Sequence, residues 1–281
     1  VKNSKDYVIL NNGVKMPSLG FGTYNAKNLA KLNDSIKESI KIGYRHIDTA
    51  SFYGNEEVIG GAIEESDVCR DEIFLVDKVW NSEQGYEKTL NAFKNSIKKL
   101  KTDYLDLYLI HWPQSLNKET WKALEKLYKD GYVRAIGVSN FTINHLKNLI
   151  ENGEIMPSVN QIEFHPRLVQ KDLIEFCKKY DIQLEAWSPL MRGGVFQILL
   201  LQEVAKKYQR TISQIVLKWD LQMGFSTIPK STTSARIKEN SEIFNFEISK
   251  EDMIEIEKLN DGFRIGMDPN EVYERPEIIL E

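Results

Sequence analysis

An α/β fold, a closed (β/α)8 barrel of the TIM type with eight parallel strands inside a ring of helices, is what this sequence predicts on three observations. Short apolar or β-branched runs alternate with longer segments carrying apolar residues at helical spacing, and the alternation repeats eight times after Ser18. Runs such as Leu105-Asp-Leu-Tyr-Leu-Ile-His111 are nearly continuous in apolar character, as strands covered on both faces require. No candidate strand leads into the Gly-x-Gly-x-x-Gly turn of an open dinucleotide-binding sheet, because Gly20-Phe-Gly22-Thr-Tyr-Asn breaks off after its second glycine. No linker, low-complexity tract or charge block divides the chain, so residues 1–281 read as one domain.

Tyr7-Val-Ile-Leu10 and Val14-Lys-Met16 flank Asn11-Asn12-Gly13, which predicts an N-terminal β-hairpin with Asn-Gly supplying the positive-φ turn. The barrel strands are predicted at residues 19–23, 46–50, 73–79, 104–112, 133–140, 159–165, 183–190 and 225–230. Helices are predicted at 34–42, 56–65, 86–100, 118–130, 143–151, 171–180, 213–223 and 234–243. After Asp261 the spacing of Gly262, Gly266, Pro269 and Pro276 predicts an irregular C-terminal arm.

Composition narrows the function. With 37 basic against 41 acidic residues the net charge is −4, and no basic block exists to neutralise a run of phosphates, which argues against a nucleic-acid partner. No apolar run approaches the roughly 20 residues of a membrane span. The first ten residues lack the layout of a secretion signal, so a cytoplasmic location is expected. Cys69 and Cys177 are far apart with no second thiol near either, and read as inert. His46, His145 and His165 give no metal-ligand spacing, so no metal is expected. Nothing marks a heptad seam or an apolar face, which favours a monomer.

In a barrel of this kind the strand ends and following loops carry the chemistry. Strand two ends in Asp48, with Tyr53 on the next loop; strand three holds Lys78, and strand four ends in His111. Singly, each has an ordinary structural explanation: a packing tyrosine, a turn aspartate, a snorkelling lysine, a core histidine. A lysine within an apolar strand is costly unless paired, and Asp48 can pair it. The ammonium is then expected to lower the Tyr53 phenol from its ordinary value near ~10, while His111 polarises a carbonyl oxygen. Together the four make a proton donor for an alkoxide.

Gly20-Phe-Gly-Thr-Tyr, His46-Ile-Asp-Thr-Ala-Ser-Phe-Tyr-Gly, Lys78-Val-Trp, His111-Trp-Pro, Gly137-Val-Ser-Asn-Phe and Ile228-Pro-Lys-Ser resemble the aldo-keto reductases in order and spacing. The resemblance covers nearly the whole chain and is nearest to the short bacterial reductases of diketogluconate, glyoxal and methylglyoxal. It implies a catalytic tetrad of Asp48, Tyr53, Lys78 and His111, with Tyr53 as general acid in reduction and base in the reverse direction. It also implies NADP(H) as cofactor, with Gly22, Thr23 and Asp48 among its contacts.

Ser139, Asn140 and Gln161 could hold a carboxamide by hydrogen bonds, and Trp187 could stack on a nicotinamide ring. The residues alone leave Trp187 equally a core aromatic and Gln161 a network member; the resemblance assigns both to the cofactor and puts Ser188 and Leu190 near the pyrophosphate. Lys230, Ser231 and Arg236 combine cations with a helix start, a seat for phosphate. Cations there favour the 2′-phosphate of NADP over the ribose hydroxyl of NAD. The resemblance places that phosphate on the same three residues and Glu239 and Asn240 beside the adenine. Tyr24, Trp80 and Trp112, with His111, make an aromatic rim suited to small aldehydes and ketones. Segments 191–201 and 263–281 are short, which argues against steroid-scale specificity. The rival functions are a nucleotide-binding regulatory or redox-sensing barrel with little turnover, and a phosphate-binding lyase using Lys78 as a Schiff base.

Overall fold

The computed structural model describes residues 7–275, so Pro276 of the predicted arm lies outside the described residues. Strands β1 (Tyr7–Ile9) and β2 (Lys15–Pro17) form the antiparallel hairpin. Its turn is closed by Gly13 N donating to Leu10 O at 2.8 Å, and of the three turn residues only Gly13 takes positive φ, at 83°. The glycine therefore meets the steric demand, and the asparagines serve as fasteners. Asn11 Nδ2 donates to Pro157 O and Asn12 Nδ2 to Arg134 O, both at 2.9 Å. Leu10 and Met16 pack with Phe74, Val76, Leu107, Leu109, Ala135 and Val159, so the hairpin plugs the floor of the barrel.

The barrel strands are β3 (Phe21–Gly22), β4 (His46–Asp48), β5 (Phe74–Val79), β6 (Leu107–Ile110), β7 (Ile136–Ser139), β8 (Val159–Glu163), β9 (Gln183–Trp187) and β10 (Ser226–Thr227). They pair in chain order, all parallel, and each falls within a predicted run. Thr227 N donates to Ser18 O and Gly20 N to Thr227 O, each at 2.9 Å, which joins the first strand to the last.

Around the strands lie α1 (Leu29–Ile42), α2 (Glu56–Glu64), α3 (Tyr86–Lys99), α4 (Asn117–Lys129), α5 (Ile143–Asn152), α6 (Lys171–Lys179), α7 (Leu199–Tyr208), α8 (Ile212–Gln222), α9 (Ser234–Ser241) and α10 (Lys250–Glu257). In α3 the buried stripe Thr89, Ala92, Phe93, Ser96 shows the spacing that presses one helix face on a sheet. Helix α1 starts earlier than predicted because the Asn28 side chain accepts from Lys31 N, an N-cap. Helices α7 and α10 were not predicted, and the Ser249 side chain caps α10 by accepting from Asp252 N. The arm is not wholly irregular either: α11 (Pro269–Glu274) begins at an Asp268 N-cap with Pro269 in the first turn. No helix among the described residues is long and apolar enough to cross a membrane.

Strand alternation turns Lys78 into the barrel and its neighbour Asp77 outward against α2 and α3. Asp77 is fully buried beside Glu56, and burial and that neighbour push its carboxyl up to about 7. The folded state thus holds a proton that the unfolded chain releases above about pH 4, so this group's contribution to stability falls as pH rises from about 4 through about 7. Asp77→Asn removes that slope. It is expected to raise the melting temperature over the parent protein at pH 8 and to change it little at pH 5, as thermal unfolding at the two pH values would show; an equal change at both would contradict the buried proton.

Candidate active site

Asp48 ends β4 and Lys78 lies on β5, and both side chains are buried inside the barrel near its C-terminal mouth. Lys78 Nζ donates to Asp48 Oδ1 at 2.7 Å, to Oδ2 at 2.8 Å and to Thr49 O at 2.9 Å. Opposed by burial but favoured by Asp48, the ammonium ends above its ordinary range. A lysine held so firmly as a cation is not a free amine, which weighs against the Schiff-base reading.

Tyr53 closes a single 3-10 turn, Ser51–Tyr53, that Gly54 terminates at a φ of 64°. Its ring is half-buried, with Lys78 Nζ 5.2 Å from the ring centroid. Burial raises the phenol more than Lys78 lowers it, and the net result is a pKa pushed up to about 12. The expected lowering is therefore corrected: much of the ammonium's field is cancelled by Asp48, and desolvation prevails. The phenol is fully protonated at neutral pH, a donor suited to a strongly basic alkoxide.

The His111 ring stands edge-on to Tyr53 at 5.6 Å and to Trp80 at 5.0 Å. Burial and then Lys78 hold it well below the usual histidine range, so it is a neutral imidazole. Among the described residues its Nδ1 is buried without a hydrogen-bond partner, so the ring is not a fully satisfied core histidine. The structure thus brings Asp48, Tyr53, Lys78 and His111 together.

The ends of β7, β8 and β9 supply one wall. Ser139 Oγ donates to Gln161 O at 2.9 Å, and Trp187 Nε1 to Asn140 Oδ1 at 2.8 Å. Asn140 is held at a φ of 63°, with its Nδ2 donating to His111 O at 3.0 Å, so a strained backbone locks the tryptophan and the histidine loop together. Gln161 Nε2 donates to Asp48 Oδ2 at 2.8 Å and to Glu185 Oε2 at 2.7 Å, which leaves only its carbonyl oxygen for a ligand. Thr23 Oγ1 donates to Asp48 O at 2.8 Å, and at Gly22 a Cβ would lie 2.7 Å from Ile228 O. Ser188, at a φ of 51°, and Leu190 are half-buried beyond Trp187.

Beyond β10, Lys230 and Arg236 are exposed, and among the described residues neither has a carboxylate within 4.0 Å. Ser231 is buried beside them, and no side chain among the described residues caps α9. Two unneutralised cations at an uncapped helix start fit the phosphate group of NADP. Glu239 Oε1 accepts from Thr211 Oγ1 at 2.8 Å and Asn240 is buried.

Tyr24 leans on Tyr53 at 5.0 Å, and Phe52 stacks on Trp80 at 3.8 Å. Val272 of α11 packs with Trp80 and Trp112, and Met267 and Trp187 join the same cluster. The arm is tied down by Glu163, which accepts from Gly266 N and from His165 Nε2 at 3.0 Å each. A Cβ at position 266 would lie 2.5 Å from Trp187 Cη2, so only glycine lets the arm lie across that ring. Sequence reasoning missed Phe52, Glu163, Glu185, Met267 and Val272. Glu163 and Glu185 carried a usable signal, an acid inside an apolar strand, the same anomaly that singled out Lys78.

Comparison with known proteins agrees with this geometry. The aldo/keto reductase family model matches residues 18–261. The chain is 54% identical over 269 residues to a glyoxal reductase of Bacillus subtilis (strain 168), covering 95% of this chain and 98% of that protein. Among solved structures, an aldo-keto reductase from a Medee basin deep-sea metagenome library superposes with a TM-score of 0.91 at 45% identity, covering 93% of this chain and 97% of that one. A variant of Gox0644 in complex with NADPH gives 0.90 at 41% identity, covering 94% and 97%. The barrel, the strand-end acid, phenol, ammonium and imidazole, and these likenesses have one common meaning: the chain belongs to the aldo/keto reductase family of oxidoreductases.

Proposed function

We propose that this protein reduces aldehydes and ketones to alcohols with NADPH, with Tyr53 as the proton donor. The observation that carries the reading is the buried Lys78–Asp48 pair beside a protonated Tyr53 and a neutral His111. When bound, NADPH supplies the hydride. Gln161, Asn140 and Trp187 would hold its nicotinamide end, and Lys230, Ser231 and Arg236 its 2′-phosphate. His111 orients the carbonyl oxygen, and Tyr53 gives its proton to that oxygen as negative charge develops there. Lys78, kept cationic by Asp48, stabilises the phenolate that remains. Phe52, Trp80 and Trp112 exclude water around the carbonyl carbon.

The rim suits small dicarbonyls, aromatic aldehydes or keto sugars, and the likeness to a glyoxal reductase supports the first. The protein is taken to act as a cytoplasmic monomer. The test is loss of NADPH absorbance with glyoxal, methylglyoxal and nitrobenzaldehyde, with product alcohols identified by NMR; no oxidation by folded protein would sink the reading. Arg236→Ala is expected to raise the KM for NADPH by about 10- to 100-fold, the loss of a charge-assisted phosphate contact, and to leave that for NADH nearly unchanged. Cofactor titrations of both proteins check it.

A further inference from the structure

Below the Lys78–Asp48 pair the barrel holds two more titratable groups, which the reaction above does not use: His46 on β4 and Glu185 on β9, both wholly buried. His46 Nδ1 lies 3.1 Å from Pro17 O, and a carbonyl can only accept, so Nδ1 carries a proton. The other ring nitrogen, Nε2, then points at Glu185 Oε1 across 3.6 Å. If Nε2 were bare and Glu185 ionised, a lone pair would face a carboxylate in a dry interior. The contact is longer than a hydrogen bond, but the repulsion is relieved by one proton on Nε2 or on Oε1, and in either arrangement the pair is electrically neutral. Burial holds Glu185 above the ordinary carboxylate range, consistent with its taking a share of that proton. At Gly20 a Cβ would lie 2.8 Å from His46 Cγ, so this glycine makes the room the ring occupies.

The pair is linked upward. Ser226 Oγ donates to Glu185 Oε1 at 3.1 Å, and Glu185 Oε2 accepts from Gln161 Nε2. The second Gln161 proton goes to Asp48 Oδ2. With carboxylates on both sides the amide has one chemically sensible orientation, nitrogen inward and oxygen toward the mouth. The charged groups facing Glu185 are His46 and Asp48 from β4 and Lys78 from β5.

We propose that His46 and Glu185, sharing one proton on the barrel floor, are positioning residues that fix the Gln161 amide and, through it, the Asp48 carboxylate beneath Lys78. For what the outward-facing Gln161 oxygen meets, this rests on the function proposed above: an oxygen there accepts from a carboxamide NH2.

The test compares Glu185→Gln, Glu185→Leu, Gln161→Leu and the double Leu variant, with NADP+ affinity measured by calorimetry. Glu185→Gln can accept from Gln161 and donate to a bare His46 Nε2, so it reproduces the neutral pair and is expected to bind within about threefold of the parent. Glu185→Leu and Gln161→Leu are each expected to weaken binding by roughly tenfold, and the double variant to be no worse than the weaker single, as for residues acting through one chain of bonds. Parent-like binding by Glu185→Leu, or losses that multiply, would overturn the proposal. If Glu185→Leu does not fold, Glu185→Gln decides: a tenfold loss there would mean that the pair is not replaceable by a neutral one. A readout without cofactor is the His46 ring in nitrogen NMR, expected to show a protonated Nδ1; a neutral Nε2–H tautomer would also overturn it. Parent protein that binds NADP+ but reduces no carbonyl would refute the proposed function and leave this inference to be judged on binding alone.

Discussion

Tyr53→Phe is expected to lower kcat for carbonyl reduction by about 10²- to 10⁴-fold, the usual contribution of a positioned general acid, while NADPH affinity changes by less than about threefold. The substitution deletes one oxygen from a ring whose packing is otherwise kept. Tyr24 still lies against it and His111 still stands edge-on. The residues that fit the cofactor are elsewhere, on β7 to β9 and beyond β10. Turnover must therefore separate from binding. Steady-state kinetics beside a fluorescence titration of NADPH would test it, and equal losses in both would show that Tyr53 builds the cofactor seat instead of donating a proton.

How far the sequence could go is seen residue by residue. All eight barrel strands were legible because a strand covered on both faces loses its polar alternation, and few other structures leave that mark. Lys78 stood out because a lysine in an apolar strand is costly unless paired, and Asp48 and His111 because they end strands whose following loops share one mouth. The direction of the Tyr53 shift was not legible. It depends on how deeply the ring is buried and on how much of the Lys78 field Asp48 cancels, and neither is a property of spacing. Helix α11 escaped because six residues carry no period, although Asp268-Pro269 is a start signal when seen in place. The dual bond from Gln161 to Asp48 and Glu185 joins three strands, and only the closed barrel shows that they meet.

Removing the ammonium tests the centre of the site from the other side. Lys78→Met keeps the length of the side chain and discards its charge, so Asp48 is left buried with Gln161 as its remaining side-chain donor. Breaking a buried pair from one side costs about 3–5 kcal/mol, and the melting temperature is expected to fall accordingly. Turnover should fall by at least the loss seen for Tyr53→Phe, because the phenolate left after proton transfer would face Asp48 with no cation between them. Melting curves at pH 8, with kinetics on the fraction that stays folded, check both halves. A Lys78→Met protein as stable as the parent at pH 8, or one that still reduces carbonyls at the parent rate, would mean that the ion pair is neither the strut nor the charge this site requires.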